Sequence, residues 1–152
     1  MFAKAFIIAS FCVAASLQWS QFKSCGNDHS KDPHRLIIDG CTTFPCIIYT
    51  GYDVAARWDF IATTETSVLI PQAEFSIAGL WYAPYPLGIN DGCPDLVSER
   101  QCPLEAGDQA TYTLRMGVPP GTPSGVKVWV KFSLKDENYN TYSCFEVEFK
   151  TV

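Results

Sequence analysis

Val126-Lys127-Val128-Trp129-Val130-Lys131-Phe132-Ser133-Leu134 is the stretch that sets the fold class. Apolar side chains stand at every second position, Val126, Val128, Val130, Phe132 and Leu134, with Lys127, Trp129, Lys131 and Ser133 between them. A period of two belongs to a β-strand, whose side chains leave alternate faces; a helix repeats at about 3.6. The pattern recurs on both sides of this stretch. Phe145, Val147 and Phe149 alternate with Glu146, Glu148 and Lys150. Tyr112, Leu114, Met116 and Val118 alternate with Thr111, Thr113 and Arg115, and Val54, Ala56, Trp58 and Phe60 with Asp53, Ala55, Arg57 and Asp59. The charged positions Arg57, Arg115, Lys127, Lys131, Glu146, Glu148 and Lys150 are all assigned outward, so each strand is expected to have one wet and one buried face.

Less regular strands are predicted over residues 35–39, 46–50, 67–70 and 74–82. Between them stand Gly40, Gly51, Pro71, Pro84, Pro86, Gly88, Gly92, Gly107 and the run 119–123, read as punctuation. A short helical turn fits within 91–102, and no amphipathic helix is evident. Seven to eight short strands separated by turn signals predict an all-β, antiparallel β-sandwich. The inward faces carry almost no charge. Periodicity leaves two readings open: an ordinary filled core, or sheets held apart around an apolar ligand.

The first residues read differently. Lys4 is followed by Ala5-Phe6-Ile7-Ile8-Ala9-Ser10-Phe11-Cys12-Val13-Ala14-Ala15, an apolar run ending in small residues. Residues 1–16 are therefore expected to be a secretory signal peptide, too short to span a membrane, with a single domain over 17–152. About 135 residues suffice for one domain with its own core. Losing Lys4 leaves ten basic against 16 acidic residues, a net charge near −6, which argues against a nucleic-acid partner. No Asn-x-Ser/Thr sequon occurs.

Cleavage also removes Cys12 and turns seven cysteines into six: Cys25, Cys41, Cys46, Cys93, Cys102 and Cys144. Their spacing suggests two local loops and one clasp joining the ends of the domain. Six cysteines admit about 15 pairings, so spacing leaves the connectivity open. An even set of this kind belongs to an oxidising compartment. A zinc site is disfavoured, because no Cys-x-x-Cys occurs and His29 and His34 lie far in sequence from most of the cysteines.

Catalytic signals are weak. There is no Gly-x-Ser-x-Gly elbow, His-Glu-x-x-His or phosphate-binding Gly-rich loop. His29 and His34 are read as part of a solvated loop, Asp91 and Asp95 as turn caps, and Glu146 and Glu148 as solvent-facing. The expectation is a protein that is not an enzyme and that needs no cofactor or metal.

Taken together, the motifs resemble the Niemann-Pick type C protein 2 branch of the lipid-recognition (ML domain) family, which also includes the group 2 mite allergens. The resemblance runs from end to end. It rests on Phe22-Lys23-Ser24-Cys25-Gly26, Gly40-Cys41, Pro45-Cys46, Gly51, Phe60, Pro84-Tyr85-Pro86 and Asp91-Gly92-Cys93. It continues through Cys102-Pro103-Leu104-Glu105-Ala106-Gly107, Tyr112, Val128-x-Val130, Leu134-x-Asp136 and Cys144-Phe145. The resemblance implies an immunoglobulin-like sandwich with an internal hydrophobic tunnel, and the pairs Cys25–Cys144, Cys41–Cys46 and Cys93–Cys102.

It also implies reversible carriage of a fatty acid, a sterol or a semiochemical, by a secreted and soluble monomer. The compartment is extracellular or the lysosomal lumen, and delivery would be to a membrane receptor. A lipid-presenting co-receptor or innate-immune recognition module is the alternative. The tunnel mouth would lie between Tyr85-Pro86-Leu87 and Val118-Pro119-Pro120-Gly121-Thr122-Pro123, with Tyr85, Val118 and Thr122 at the opening. The ligand-binding wall would draw on Ile48, Val54, Trp58, Phe60, Ile77 and Trp81, and on Tyr112, Leu114, Val128, Val130, Phe132 and Phe145. Three features depart from sterol-carrying relatives. Thr122 stands in place of an aromatic gate, Phe132 and Phe145 in place of tryptophans, and glycan sites are missing. These departures favour a fatty acid or related long-chain compound over cholesterol, in the style of arthropod members.

Overall fold

The computed structural model describes residues 19–152, so the expected leader lies outside the described residues. Among the described residues nine strands form: β1 (Lys23–Ser24), β2 (Arg35–Ile38), β3 (Cys46–Ile48), β4 (Asp53–Ile61), β5 (Ile70–Ile77), β6 (Ala83–Tyr85), β7 (Gln109–Gly117), β8 (Lys127–Lys135) and β9 (Thr141–Thr151). Two single-turn 3-10 helices, His29–Lys31 and Cys93–Asp95, are the only helical pieces among the described residues. The larger sheet runs β1-β9-β8-β5-β6, with β3 beside β9 along the same side as β1; the smaller runs β2-β4-β7. All pairings are antiparallel except β3 with β9. This is the expected all-β sandwich.

The long strands follow the alternation. β8 and β9 place Phe132 opposite Phe145 and Val130 opposite Val147, giving the larger sheet its apolar inner face. β4 and β7 pair Trp58 with Tyr112 and Ala56 with Leu114, giving the inner face of the smaller sheet. The two faces meet through Trp58, whose ring centroid lies 5.1 Å from both Tyr112 and Phe145. Its indole N–H also donates to Ser143 Oγ on β9 at 2.9 Å, satisfying a donor with no access to water.

Several expectations are corrected. Of the strand foreseen over 67–70 only Ile70 is in one, as the start of β5; residues 67–69 are a loop, held where Gly92 N–H donates to the Leu69 carbonyl at 2.7 Å. Pro71 does not end a strand. It lies inside β5 opposite Leu134, before β6 begins pairing at Ala73, so β5 has one neighbour there and the missing N–H is tolerated. The single strand foreseen over 74–82 breaks instead at Ala78 and Gly79, both at positive φ (65° and 68°), and resumes as β6. Glu146 is on the outer face but only 8% exposed, so it does not face solvent. Lys23 reaches it at 3.6 Å. Tyr82 lies close by, and burial, then the neighbouring Glu146 carboxylate, pushes its phenol up to about 12.

Among the described residues three disulfides are present: Cys25–Cys144, Cys41–Cys46 and Cys93–Cys102. The first joins residues 119 apart in sequence and fastens the start of the chain to β9.

Candidate functional site

The sandwich is filled at one end and hollow at the other. The filled end is aromatic. Trp58, Tyr112, Phe132 and Phe145 interlock, with Phe132 and Phe145 centroids 5.4 Å apart, and Phe60 stacks on Tyr142 at 6.1 Å. Toward the other end the inward residues become slimmer: Val130 then Val128 on β8, and Met116 then Val118 at the end of β7. These cannot span the gap between sheets set by the rings, and a cavity of about 340 Å³ remains. Its wall is made by Ile48, Phe75, Ile77, Tyr85, Met116, Gly117, Val118, Pro119, Thr122, Pro123, Val126, Val128, Val130 and Thr151. The size sits at the lower end of the range of about 300–1,000 Å³ usual for small-ligand pockets.

The wall holds no charged side chain, and its few polar atoms are largely engaged. Thr151 Oγ1 donates to the Pro123 carbonyl at 2.6 Å and accepts from Val126 N–H at 3.0 Å. The Tyr85 hydroxyl donates to the Gly117 carbonyl at 2.7 Å, bridging β6 of one sheet to the end of β7 in the other. The backbone of Val118 is pinned on both sides: its N–H donates to Tyr52 O and its carbonyl accepts from Gly51 N–H, each at 2.8 Å. The side chain itself is only 7% exposed and forms part of the wall.

Of the sequence-predicted residues, Ile48, Ile77, Tyr85, Val118, Thr122, Val128 and Val130 are brought together around this cavity. The remainder of the expected wall lies elsewhere in this structure. Trp58, Phe60, Tyr112, Leu114, Phe132 and Phe145 pack in the filled core, and Val54 is buried without reaching the wall. Trp81 stands 70% exposed between β5 and β6. Phe75, Met116, Val126 and Thr151 were missed. The signal for Thr151 was available: it continues the inward series Phe145, Val147, Phe149.

A second recess of similar volume lies against Gln72, Glu74, Pro84, Tyr85, Leu87, Ile89 and Asn90. Its polar side chains suit hydrocarbon poorly. Tyr85 belongs to both walls.

The histidine region holds more order than a solvated loop. Ser24 Oγ, His29 Nδ1 and Asp32 Oδ2 lie within 2.8–3.0 Å of one another. A nucleophilic relay needs Ser and Asp on opposite ring nitrogens. Here both contact Nδ1, so the cluster is a fastening for the 3-10 turn. Asp91 caps a turn, accepting from Cys93 N–H at 2.9 Å. Among the described residues no group of three or more His, Cys, Asp or Glu is placed to hold a metal ion.

Comparison with known proteins agrees with this architecture. Residues 19–151 match the family model of the ML domain. The crystal structure of a Niemann-Pick type C2 protein from Japanese carpenter ant superposes with a TM-score of 0.72 at 19% identity, covering 87% of this chain and 99% of that one. Chicken MD-1, solved in complex with lipid IVa, superposes with a TM-score of 0.50 at 18% identity, over 82% of this chain and 83% of that one.

Proposed function

The chain belongs to the ML domain family, and we propose that it binds and carries one long-chain hydrophobic molecule, a fatty acid, sterol or related compound, without covalent chemistry. The observation that carries this reading is the uncharged cavity between Val118, Val128 and Val130, kept open by the aromatic core beside it. A ligand burying about 300 Å² of hydrocarbon gains roughly 7–8 kcal/mol at about 25 cal/mol/Å². Lost freedom on association offsets part of that gain and leaves reversible binding. The proposal extends to a signal peptide over 1–16 and a secreted, monomeric domain over 17–152. The three disulfides support an oxidising destination, outside the cell or in the lysosomal lumen. Delivery to a membrane receptor completes the reading.

Mass spectrometry of lipid extracted from protein purified from its native source, together with displacement of a fluorescent apolar probe, tests the proposal. One equivalent of extractable lipid and saturable displacement are expected. Protein that carries no lipid and binds neither probe nor competitor sinks it. A lipid-presenting co-receptor for phosphorylated lipids, the alternative suggested by the likeness to MD-1, would need cations at the mouth, and the lining supplies none.

A further inference from the structure

The two ends of the sandwich differ in charge. Residues 47–52, 77–82 and 117–126 surround the cavity mouth and contain no charged side chain. The loops at the filled end, 62–69, 91–108 and 136–140, hold eight acidic residues against one basic residue, Arg100. That is a balance of −7 in a chain whose total is −5. The nine residues of β7 separate the two ends, about 30 Å at about 3.3 Å per residue. This is more than three Debye lengths at physiological salt, so the acidic end does not repel an anionic surface that meets the mouth.

The mouth end is also apolar on its outside. Tyr49, Tyr52, Ile77, Leu80 and Trp81 are each 60–83% exposed. Tyr49 and Tyr52 stand between β3 and β4, their ring centroids 6.4 Å apart; Ile77, Leu80 and Trp81 stand where β5 turns toward β6. Both groups are tied to the opening. Tyr52 O accepts from Val118 N–H at 2.8 Å, and Ile77 is itself part of the cavity wall. Together they expose several hundred Å² of apolar surface, the scale at which a patch marks an interaction site. Tyr and Trp, with an apolar body and a polar tip, are the residues that settle at the headgroup level of a bilayer.

Cations flank this apolar end. Lys127 and Lys150 stand directly opposite each other on β8 and β9 and alternate with wall residues, so they point away from the cavity. Like charges directly opposite are unfavourable in a sheet, and a nearby anion relieves them. Lys127 reaches Glu148 at 3.9 Å, whereas Lys150 pairs with no carboxylate among the described residues. Asp53, at the start of β4, is paired with Arg115 at 3.9 Å.

We infer that the mouth end docks on a lipid bilayer bearing anionic headgroups. Leu80 and Trp81 on one side of the opening and Tyr49 and Tyr52 on the other enter the interface, and Lys127 and Lys150 meet the headgroups. The inference rests on the carrier reading for its purpose: an opening pressed to the bilayer lets an apolar cargo pass without crossing water.

The test is flotation of the cargo-free protein with phosphatidylcholine vesicles holding either no phosphatidylglycerol or about one third of it. Binding to the anionic vesicles is expected, weaker by at least about fivefold on the neutral ones. Leu80→Ser with Trp81→Ser changes two exposed residues outside the cavity wall. This double variant is expected to lower vesicle binding at least about tenfold and to leave affinity for N-phenyl-1-naphthylamine in solution unchanged. Wild-type protein that binds the probe but floats with neither vesicle overturns the docking and leaves the carrier reading standing. Equal flotation of the folded double variant overturns it too, as does equal binding to both vesicles. A dimer in sedimentation equilibrium that the double variant abolishes gives this surface to a second copy and overturns it as well. Protein that floats but never binds the probe removes the carrier reading and keeps the docking.

Discussion

Val118→Phe separates a lipid cavity from an ordinary core. Val118 reaches the wall from the end of β7, and its backbone is fixed by hydrogen bonds to Gly51 and Tyr52. An added ring cannot move the backbone away and must extend into the space beside Val128 and Tyr85, which is empty. A phenyl ring occupies about the length of three methylenes of a bound chain. At about 0.8 kcal/mol per buried CH₂, the ligand loses roughly 2.4 kcal/mol, a fall in affinity of about 60-fold. Forcing the same ring into a filled interior would instead cost roughly 1–3 kcal/mol of stability. For a domain of this size that lowers Tm by several degrees, at about 3–5 °C per kcal/mol. The assay is a fluorescent-lipid displacement titration beside a melting curve for both proteins. The expected outcome is weakened binding with Tm moved by less than about 2 °C. Unchanged affinity in a stably folded variant would place the ligand elsewhere, and a large drop in Tm would show that the space is not available.

Three further predictions concern the framework around the cavity. Gly92 has ordinary backbone angles, but a Cβ there would meet Tyr112 Oη at 2.7 Å. Gly92→Ala is expected to displace the tyrosine from the core and cost roughly 1–3 kcal/mol in chemical denaturation, and a neutral result would refute the tight approach. Asp136 is fully buried and accepts from Thr64 Oγ1 (2.7 Å), Asn138 N–H (2.9 Å), Asn140 N–H (2.8 Å) and Asn140 Nδ2 (2.8 Å). Burial alone would raise its carboxyl, but these bonds outweigh it and hold the group below the ordinary carboxylate range. Its contribution is present above the unfolded value of about 3.9 and is lost as pH falls through the lower folded value. Stability from this group is therefore unchanged at pH 5 and declines below pH 4; Asp136→Asn should flatten that acid decline, which urea titrations across pH would reveal. Replacing both Cys25 and Cys144 by Ala is expected to cost about 5 kcal/mol in the chain-entropy model, against about 2 for Cys41 and Cys46, as read from urea midpoints. Equal losses would count against the clasp as the dominant constraint.

The fold class was legible because alternation is a local property, and β4, β7, β8 and β9 each carry it over several residues. What was missed depends on distant partners. β1 is two residues long and has no period to read; it pairs with Glu146 and Phe145 beside a disulfide that closes most of the chain. Pro71 looked like a breaker because its tolerance depends on where β6 ends. Glu146 looked wet because its cover, Lys23 and Tyr82, comes from two other parts of the chain.

The cavity shows the same division more sharply. Periodicity identifies which side chains face inward, but not how far apart the opposing sheets stand. That distance is set by the bulkiest facing pairs, here Trp58 against Phe145 and Phe132. Once these rings prop the sheets apart, any inward stretch of smaller side chains at the same depth leaves a void. β8 reads Leu134, Phe132, Val130, Val128, while β7, running the other way, reads Tyr112, Leu114, Met116, Val118. Both series thin toward the same end only because the strands are arranged as they are, so the hollow is a product of size order and register jointly. Trp58, Phe132 and Phe145 were expected in the wall on the family resemblance. They belong instead to the wedge that makes the wall possible, and shrinking one of them should close the cavity by letting the sheets approach, not enlarge it.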